Sequence, residues 1–261
     1  MIRVASVGDI HYGAQRSKSF GEAFAKLEHE ADLLLLAGDL TRTGRIEEST
    51  PLIEDLRLCR VPVVAVLGNH EYQSGLELKI VEQLADAGVH VLEGSVIVLE
   101  VRGVRVGVAG IKGFGGGFAG ACGSEFGEPE MKLFARHSRE QGRLLHEALE
   151  EISGLDAEFQ VVLTHFSPIE QTLAGEKREI YPFLGSFHLA EPIDAFSVDL
   201  AIHGHAHRGV EQGITAGGVP VRNVAYPVIR SPYRVYSLEP RARPVFKKEE
   251  WAAAIPKSTT S

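Results

Sequence analysis

The chain has 261 residues, 44% of them hydrophobic and 24% charged, so it can bury a sizeable core and does not have the composition of a disordered protein. Its formal net charge is −8, and it lacks the basic stripe that a nucleic-acid groove binder presents. It has two cysteines, Cys59 and Cys122, which lie far apart in sequence and form neither the pattern of a disulfide framework nor that of a zinc ribbon.

The N-terminal residues begin directly with an apolar, β-branched run, which predicts a first buried strand over residues 2–8. This run lacks the basic start and the long apolar core of a signal peptide. No apolar run in the chain approaches the ~20 residues of a membrane span. We therefore expect a soluble cytoplasmic protein without a membrane partner.

The first ninety residues predict two strand–helix–strand units. The predicted elements are a helix over 17–31, a strand over 32–37, a helix from 51 to about 60, a strand over 61–67 and a helix over 76–87. The pair Thr50-Pro51 is a helix start signal, a capping hydroxyl before a proline. Thirty residues separate Asp9 from Asp39, and thirty separate Asp39 from Asn69, the length of one such unit. Parallel strands then align their carboxyl ends at one edge, where open α/β sheets bind ligands.

The middle of the chain predicts a second sheet. Strands over 95–101 and 104–109 are joined by Arg102-Gly103, a hairpin signal. Residues 113–127 contain seven glycines, and we expect them to form a mobile loop with few core anchors that borders the strand ends. A long amphipathic helix is predicted over 128–152. The residues expected on its core face are Leu133, Phe134, Leu144, Leu145, Ala148 and Ile152.

The last third of the chain predicts short strands and a surface loop. Strands are expected over 160–164, 198–202, 219–225 and 234–238, the last two closing the second sheet. Residues 166–197 contain three prolines and are predicted to be irregular. We expect a single domain over 1–240, followed by a frayed tail over 241–261.

Metal-type side chains follow the predicted strands at five places. These clusters are Asp9-Ile10-His11, Gly38-Asp39, Gly68-Asn69-His70-Glu71, His165 and His203-Gly204-His205-Ala206-His207. Taken singly, an aspartate can cap a turn and a histidine can be a satisfied core residue. Their joint occurrence at strand ends favours a metal site.

The ligand chemistry indicates two ions. Side chains two residues apart on an extended chain point the same way, which pairs Asp9 with His11 and His205 with His207. A carboxylate, an amide and several imidazoles favour Mn, Fe, Zn or Co. Seven ligands exceed one tetrahedral site and suit two ions about 3.5–4 Å apart that share a carboxylate. Asp39 is the expected bridge, because it is the only acidic residue at its strand end. The candidate ligands are Asp9, His11, Asp39, Asn69, His165, His205 and His207.

Four other residues leave alternatives open. His70 can act on a leaving group or only orient Asn69. His203 can orient a ligand or pack in the core. Arg42 can reach a substrate phosphate, and His188, within the predicted 166–197 loop, can line a substrate cleft.

The ordered set Asp-x-His, Gly-Asp, Gly-Asn-His-Glu, a lone His after a strand, and Gly-His-x-His resembles the signature of the calcineurin-like metallophosphoesterase superfamily. The resemblance covers residues 1–238 and implies an α/β fold, a four-layer α-β-β-α sandwich with two mixed sheets. It implies that Asp9, His11, Asp39 and His207 hold one ion and that Asp39, Asn69, His165 and His205 hold the other. His70 would lie near the leaving group. Cyclic-nucleotide phosphodiesterases of the superfamily often carry Asp where this chain has Arg42.

The resemblance implies a dinuclear phosphoesterase in which a metal-bridging hydroxide attacks a phosphodiester or phosphomonoester, with Asp39 and His70 as the catalytic residues. We expect a small phosphate-ester substrate, and a nucleotide fits this class. Two alternatives remain: a nuclease of the DNA-repair branch, which usually has a capping domain and a basic cleft, and a non-catalytic scaffold, which should have lost ligands. The sequence therefore does not favour nucleic acid, and it leaves the oligomeric state open.

Overall fold

The computed structural model describes residues 1–15 and 19–239. The predicted tail over 241–261, and residues 17 and 18 of the predicted first helix, lie outside the described residues. The described helices are α1 Gly21–Glu30, α2 Ile46–Leu56, α3 Glu77–Asp86, α4 Pro129–Ser153, α5 Tyr181–Leu184, α6 Phe187–Ala195 and α7 Tyr226–Ile229. Short 3-10 turns occupy Gln171–Leu173 and Arg178–Ile180.

The first sheet has the strand order β13-β1-β2-β3-β4. Its strands are β1 Ile2–Val7, β2 Leu33–Ala37, β3 Val63–Val66, β4 Val89–Val91 and β13 Arg234–Leu238. The strands β1 to β4 are parallel, and only β13 runs antiparallel to β1. Every residue of β2 and β3 is buried, as expected for strands covered on both faces. The predicted strand–helix–strand units are confirmed.

The second sheet has the strand order β11-β12-β10-β9-β6-β5. Its strands are β5 Ser95–Val101, β6 Val104–Ile111, β9 Phe159–Thr164, β10 Leu200–His203, β11 Gln212–Ile214 and β12 Pro220–Asn223. The predicted hairpin is confirmed: β5 and β6 pair antiparallel, with Arg102 (φ 55°) and Gly103 (φ 76°) at the turn. The inner strands β6, β9, β10 and β12 are parallel, so this sheet is mixed, as predicted.

The two sheets pack face to face across an apolar core, and helices cover both outer faces. Residues such as Val4, Leu35 and Val64 from the first sheet meet Val108, Val161 and Ile202 from the second. The helices α1 to α3 bury their apolar faces on the first sheet, and α4 and α6 do so on the second. The predicted four-layer α-β-β-α sandwich is confirmed. This packing brings the carboxyl ends of β1, β2, β3, β9 and β10 to one edge of the molecule.

The start of α2 was predicted wrongly. The helix begins at Ile46, so Pro51 lies inside it rather than in its first turn. Glu48 provides the cap that the prediction missed, because its carboxylate accepts hydrogen bonds from the backbone N–H of Thr43 (2.7 Å) and Arg45 (3.4 Å).

Residues 166–197 are not the irregular surface loop that the prolines suggested. They contain both 3-10 turns, α5 and α6, and α6 packs on α4 through Leu189 and Ile193, which are fully buried. Ser186 caps α6 by accepting from the His188 N–H. Pro192 lies inside this helix and is itself buried.

The glycine-rich segment is anchored over its first six residues. Residues 113–118 are mostly buried, and the N–H groups of Gly116 and Gly117 donate to the carbonyls of Pro182 (2.7 Å) and Gly185 (2.9 Å). Phe118 is also buried, and it lies in a two-stranded ribbon of β7 Gly117–Phe118 and β8 Ala121–Cys122. The expectation of few core anchors is therefore wrong for 113–118, whereas residues 119–127 are almost all exposed.

Two further predictions were wrong. The strand β13 joins the first sheet, not the second, because it pairs with β1. Leu133, expected on the core face of α4, is 64% exposed, while Leu145, Ala148 and Ile152 are buried. Among the described helices, none combines the length and apolar content that crossing a bilayer requires.

Candidate metal centre

The predicted ligands follow five strands that end at the same edge of the sandwich. Asp9 follows β1, Asp39 follows β2 and Asn69 follows β3 in the first sheet. His165 follows β9, and His205 and His207 follow β10, in the second sheet. Each sheet therefore contributes ligands, and the site lies where the two sheets meet.

Four of the predicted ligands have a left-handed backbone conformation that residues with a side chain seldom adopt. Their φ angles are 55° for Asp9, 47° for His11, 50° for Asp39 and 69° for His205. Such conformations cost about 1–3 kcal/mol each and are found mainly at functional sites. These residues lie in short loops directly after buried strands, so the sheets hold the strained loops in place.

Two motif glycines allow the loops to approach each other closely. A Cβ atom on Gly68 would lie 2.1 Å from Asp39 Oδ1, and one on Gly204 would lie 2.4 Å from Asp9 Oδ2. Both distances are far below van der Waals contact, so any larger residue would displace the carboxylate. The glycines of the Gly-Asn-His-Glu and Gly-His-x-His motifs are therefore required by packing around the ligands.

The first ligand cluster consists of Asp9, His11, Asp39 and His207, whose ligand atoms all lie within 4.8 Å of one another. His207 Nε2 is 2.8 Å from Asp9 Oδ1. The Nδ1 atom of His11 is buried and has no hydrogen-bond partner among the described residues. A buried ring nitrogen without a partner is costly unless a ligand such as a metal ion satisfies it, so these residues fit an ion.

The second cluster consists of Asp39, His165 and His205, with ligand atoms again within 4.8 Å of one another. His165 Nδ1 lies 2.8 Å from the Ala37 carbonyl, which accepts a hydrogen bond from it and so turns Nε2 toward the cluster. That Nε2 lies 3.3 Å from Asp39 Oδ1 and 3.1 Å from Asn69 Oδ1. Asp39 belongs to both clusters, as a bridging carboxylate would.

The electrostatics of the centre attract positive charge. Burial alone would raise the pKa of Asp39, but His165 and His70 outweigh it and hold that pKa below its usual range. Burial opposes protonation of His165, yet the Asp39 carboxylate outweighs it and raises the pKa of His165 to about 9. Burial and the neighbouring His165 lower the pKa of His205 to about 3.

Glu71 links two of the ligand loops, a role that the sequence did not predict. It is fully buried, and its carboxylate accepts from the Thr41 N–H (2.8 Å), the Thr41 hydroxyl (2.7 Å) and the Gly68 N–H (2.7 Å). Burial and the Asp39 charge raise the pKa of Glu71 to about 7. The position of Glu71 in the Gly-Asn-His-Glu motif was the sequence signal that could have indicated this linking role.

His70 lies beside the first cluster and remains 32% exposed. Its N–H donates to Asp39 Oδ1 (2.9 Å), and its Nδ1 lies 2.6 Å from the Arg42 carbonyl. The Nε2 atom is 3.6 Å from Asp39 Oδ2, and the ring lies 4.5 Å from that of His11. The imidazole therefore borders the first cluster and reaches solvent.

The three remaining candidates have different surroundings. His203 is fully buried and contacts the hydroxyl of Thr172 at 2.9 Å, and burial lowers its pKa to about 4, so it packs beneath the site. Arg42 contributes its backbone carbonyl to His70. His188 lies in α6 and contacts Glu191 at 3.3 Å. None of these three residues belongs to either ligand cluster among the described residues.

Comparisons with known proteins agree with this architecture. The sequence profile described as calcineurin-like phosphoesterase matches residues 2–209. The phosphopantetheinyl hydrolase of Mycobacterium tuberculosis is similar with a TM-score of 0.65 at 17% identity, over 92% of this chain and 98% of that one. A putative 5′-nucleotidase from Staphylococcus aureus gives a TM-score of 0.54 at 19% identity, over 85% of this chain and 48% of that one.

A hypothetical protein from Thermus thermophilus gives a TM-score of 0.50 at 18% identity, over 85% of this chain and 75% of that one. At these identities the solved structures show a shared fold alone. A search of the curated proteins found no match.

Proposed function

This chain belongs to the calcineurin-like phosphoesterase family, and from that premise we propose that it is a dinuclear phosphodiesterase acting on a small phosphate ester. The observation that carries the proposal is the position of Asp39 in both ligand clusters. A shared carboxylate is what holds two ions close enough to act on one phosphate group. We further propose that all seven predicted residues are the ligands: Asp9, His11, Asp39, Asn69, His165, His205 and His207.

Two ions bound at these residues, drawn from Mn, Fe, Zn or Co, would supply an activated water near neutral pH and offset the charge of the phosphate. The protein residues fix the geometry for this chemistry. Asp39 is held by the His70 N–H, and His165 is oriented by the Ala37 carbonyl. Because these partners are buried or part-buried, the ligands need little rearrangement during the reaction.

We propose His70 as the residue that acts on the leaving group. Its Nδ1–H donates to the Arg42 carbonyl, so Nε2 faces the side of the first cluster. The ring is partly exposed, which leaves room for a substrate beside it. A proton delivered from Nε2 to the departing oxygen would contribute typically 10²–10⁴-fold.

The proposal is tested by hydrolysis of bis(4-nitrophenyl) phosphate by protein loaded with Mn²⁺, comparing the unchanged chain with Asp39→Asn and Asp86→Asn. Asp86 is an exposed residue at the end of α3 and serves as a charge-matched control. We expect Asp39→Asn to lower kcat at least about 10²-fold, because it removes the shared electrostatic contact. The control should retain full activity. Absence of Mn²⁺-dependent hydrolysis in the unchanged chain would indicate the non-catalytic scaffold instead.

A further inference from the structure

Four ring-bearing side chains contact one another beside the candidate metal centre, and Lys112 joins a fifth, Tyr72, to them. This aromatic strip consists of Tyr72, Phe114, Phe134, His137 and Phe183. The Phe114 ring centroid lies 4.5 Å from that of His137 and 5.3 Å from that of Phe134, and the Phe134 centroid lies 6.0 Å from that of Phe183. These residues come from four different segments of the chain, so the sequence pattern gave no sign that they meet.

Lys112 lies within the strip and joins Tyr72 to it. Its Nζ is 5.1 Å from the ring centroid of Tyr72 and 5.3 Å from that of Phe114, within the range of cation–π contact. The ammonium donates one hydrogen bond, to the adjacent Gly113 carbonyl at 3.1 Å. Within residues 1–15 and 19–239, no carboxylate oxygen lies within 4 Å of it. The carboxylates of Glu93 and Asp39 act on the ammonium at longer range, and that of Glu93 accepts from the Tyr72 hydroxyl at 2.6 Å.

Both the strip and the lysine adjoin the second ligand cluster. The Phe183 carbonyl lies 3.1 Å from His205 Nε2, and the Lys112 carbonyl accepts from the His165 N–H at 3.0 Å. Phe166 lies between them, with its ring centroid 4.3 Å from that of His205 and 5.3 Å from Lys112 Nζ. A substrate whose phosphate is held by the second cluster would therefore extend over the strip.

The strip is open to solvent. The Phe183 residue is 59% exposed and Tyr72 is 38% exposed. Lys112, Phe114 and Phe134 are half-buried. Exposed and half-buried rings that lie together next to a candidate site indicate a binding surface. Because the chain has a net charge of −8, Lys112, a half-buried cation without an ion pair within the described part of the chain, is the feature of this surface suited to an anion.

We propose that the aromatic strip and Lys112 bind the part of the substrate that is not cleaved. They select a phosphate ester with a flat ring system and a second negative charge, as in a nucleotide with two phosphate groups. Rings stack on bases with little dependence on the base, and the ammonium pairs with the second anionic group. This inference rests on the proposed function, because it takes the metal centre to be the place where the first phosphate binds.

The test is calorimetric binding to the Mn²⁺-loaded chain, which needs no turnover. The probes are thymidine 3′,5′-bisphosphate and thymidine 5′-monophosphate. Lys112→Met should weaken bisphosphate binding about tenfold, since one charge-assisted contact is lost, and should change monophosphate binding less than about twofold. Phe183→Leu should weaken both nucleotides and leave methyl phosphate unaffected. Lys26→Met, at an exposed lysine of α1, is the matched control and should change neither.

Lys112→Arg keeps the charge and should keep most of the bisphosphate affinity, which separates loss of the cation from misfolding. Equal weakening of both nucleotides by Lys112→Met, or no weakening, would overturn the proposal. Much tighter binding of oligothymidylate than of the bisphosphate would also overturn it, in favour of a single-stranded nucleic-acid surface. The phosphoesterase proposal is tested separately by the hydrolysis assay, and it fails if the unchanged chain does not hydrolyse bis(4-nitrophenyl) phosphate.

Discussion

Asp39 combines an unfavourable backbone conformation with a favourable set of contacts. Its φ of 50° is strained, and its carboxylate is almost fully buried. The carboxylate lies 3.3 Å from His165 Nε2 and accepts the His70 N–H at 2.9 Å. These contacts compensate for burial of the charge only if the flanking strands keep their register. A residue that is unfavourable in isolation is thus held in place by its neighbours.

For His70, we expect the effect of a substitution to depend on the leaving group. His70→Ala should lower kcat about 10²-fold or more for an alkyl phosphodiester, whose leaving oxygen needs a proton, and only mildly for a 4-nitrophenyl diester. Bound metal, measured by elemental analysis, should stay unchanged because His70 is not among the proposed ligands. Equal losses on the two esters, or loss of metal, would instead assign His70 a supporting role in the site.

The ion pair between Arg3 and Asp32 gives a pH-dependent contribution to stability. Burial alone would raise the pKa of Asp32, but the bonds from Arg3 hold that pKa below its usual range. A carboxyl whose pKa is lowered in the folded state stabilises the protein above the unfolded-state pKa, about 3.9, and loses this contribution as pH falls through the folded-state value.

Arg3→Met should therefore lower the Tm at pH 7, and the difference from the unchanged chain should shrink as pH falls below about 4. Arg143→Met is the control, because Arg143 pairs with Glu140 and Glu147 on the exposed face of α4, where ion pairs contribute little. Thermal unfolding followed by circular dichroism from about pH 3 to pH 7 measures both variants. A Tm difference that stays constant over this range would contradict the assignment to Asp32.

The candidate ligands could be proposed from the sequence because each is a metal-type residue directly after an apolar strand. Lys112 and Phe183 could not, because a single lysine or phenylalanine has no pattern that marks it. Lys112 lies next to His165 because β6 and β9 pair in parallel with Ile111 opposite Thr164. Side chains that depend on such pairing become visible only when the register is known.

At the scale of secondary structure, proline caused the two largest errors. Pro51 and Pro192 lie inside α2 and α6 and are buried. A proline in a helix removes one N–H donor, and its cost is offset where the helix buries enough apolar surface. In α6, Leu189 and Ile193 bury apolar surface against α4. This tertiary packing cannot be predicted from the local sequence around the proline. The strand β13 was misassigned because alternation in a strand does not identify its partner.

The face that α4 presents to the second sheet can be tested by paired substitutions. Leu145 is fully buried, so Leu145→Ala should reduce the free energy of unfolding by about 2–5 kcal/mol. Leu133 is 64% exposed, and Leu133→Ala should change the free energy of unfolding by less than about 0.5 kcal/mol. Urea unfolding of both variants makes the comparison. Similar losses of unfolding free energy at the two positions would indicate that Leu133 packs on the core face, as the sequence predicted.

At the scale of the whole molecule, the candidate centre joins the two halves of the sandwich. Asp9, Asp39 and Asn69 follow strands of the first sheet, and His165, His205 and His207 follow strands of the second. The loops that contain Gly68 and Gly204 also meet at this edge, where each glycine lies against a carboxylate of another loop. An ion bound by both sets of ligands would hold the sheets together as well as prepare a reaction.

Bound metal should therefore raise thermal stability. A ligand that binds only the folded chain, at 100 times its Kd, adds about 2.7 kcal/mol, which corresponds to roughly 5–10 °C in Tm for a domain of this size. Elemental analysis should approach two Mn ions per chain, and EDTA should reverse the gain in Tm. Asp39→Asn, which affects both clusters, should abolish most of the gain, whereas Asp86→Asn should not. Saturation at one ion, or no change in Tm, would contradict a shared centre.

The contact between His207 and Asp9 joins residues 198 positions apart in the chain. Contacts of such long range are slow to form, because most of the intervening polypeptide must be ordered before its ends can meet. During synthesis, the first ligand cluster cannot be completed until residue 207 has left the ribosome, long after Asp9, His11 and Asp39 have emerged. Metal capture at the proposed ligands of both clusters would thus be a late event in the maturation of this chain, and a nascent chain with only its first sheet assembled would present an incomplete set of these ligands.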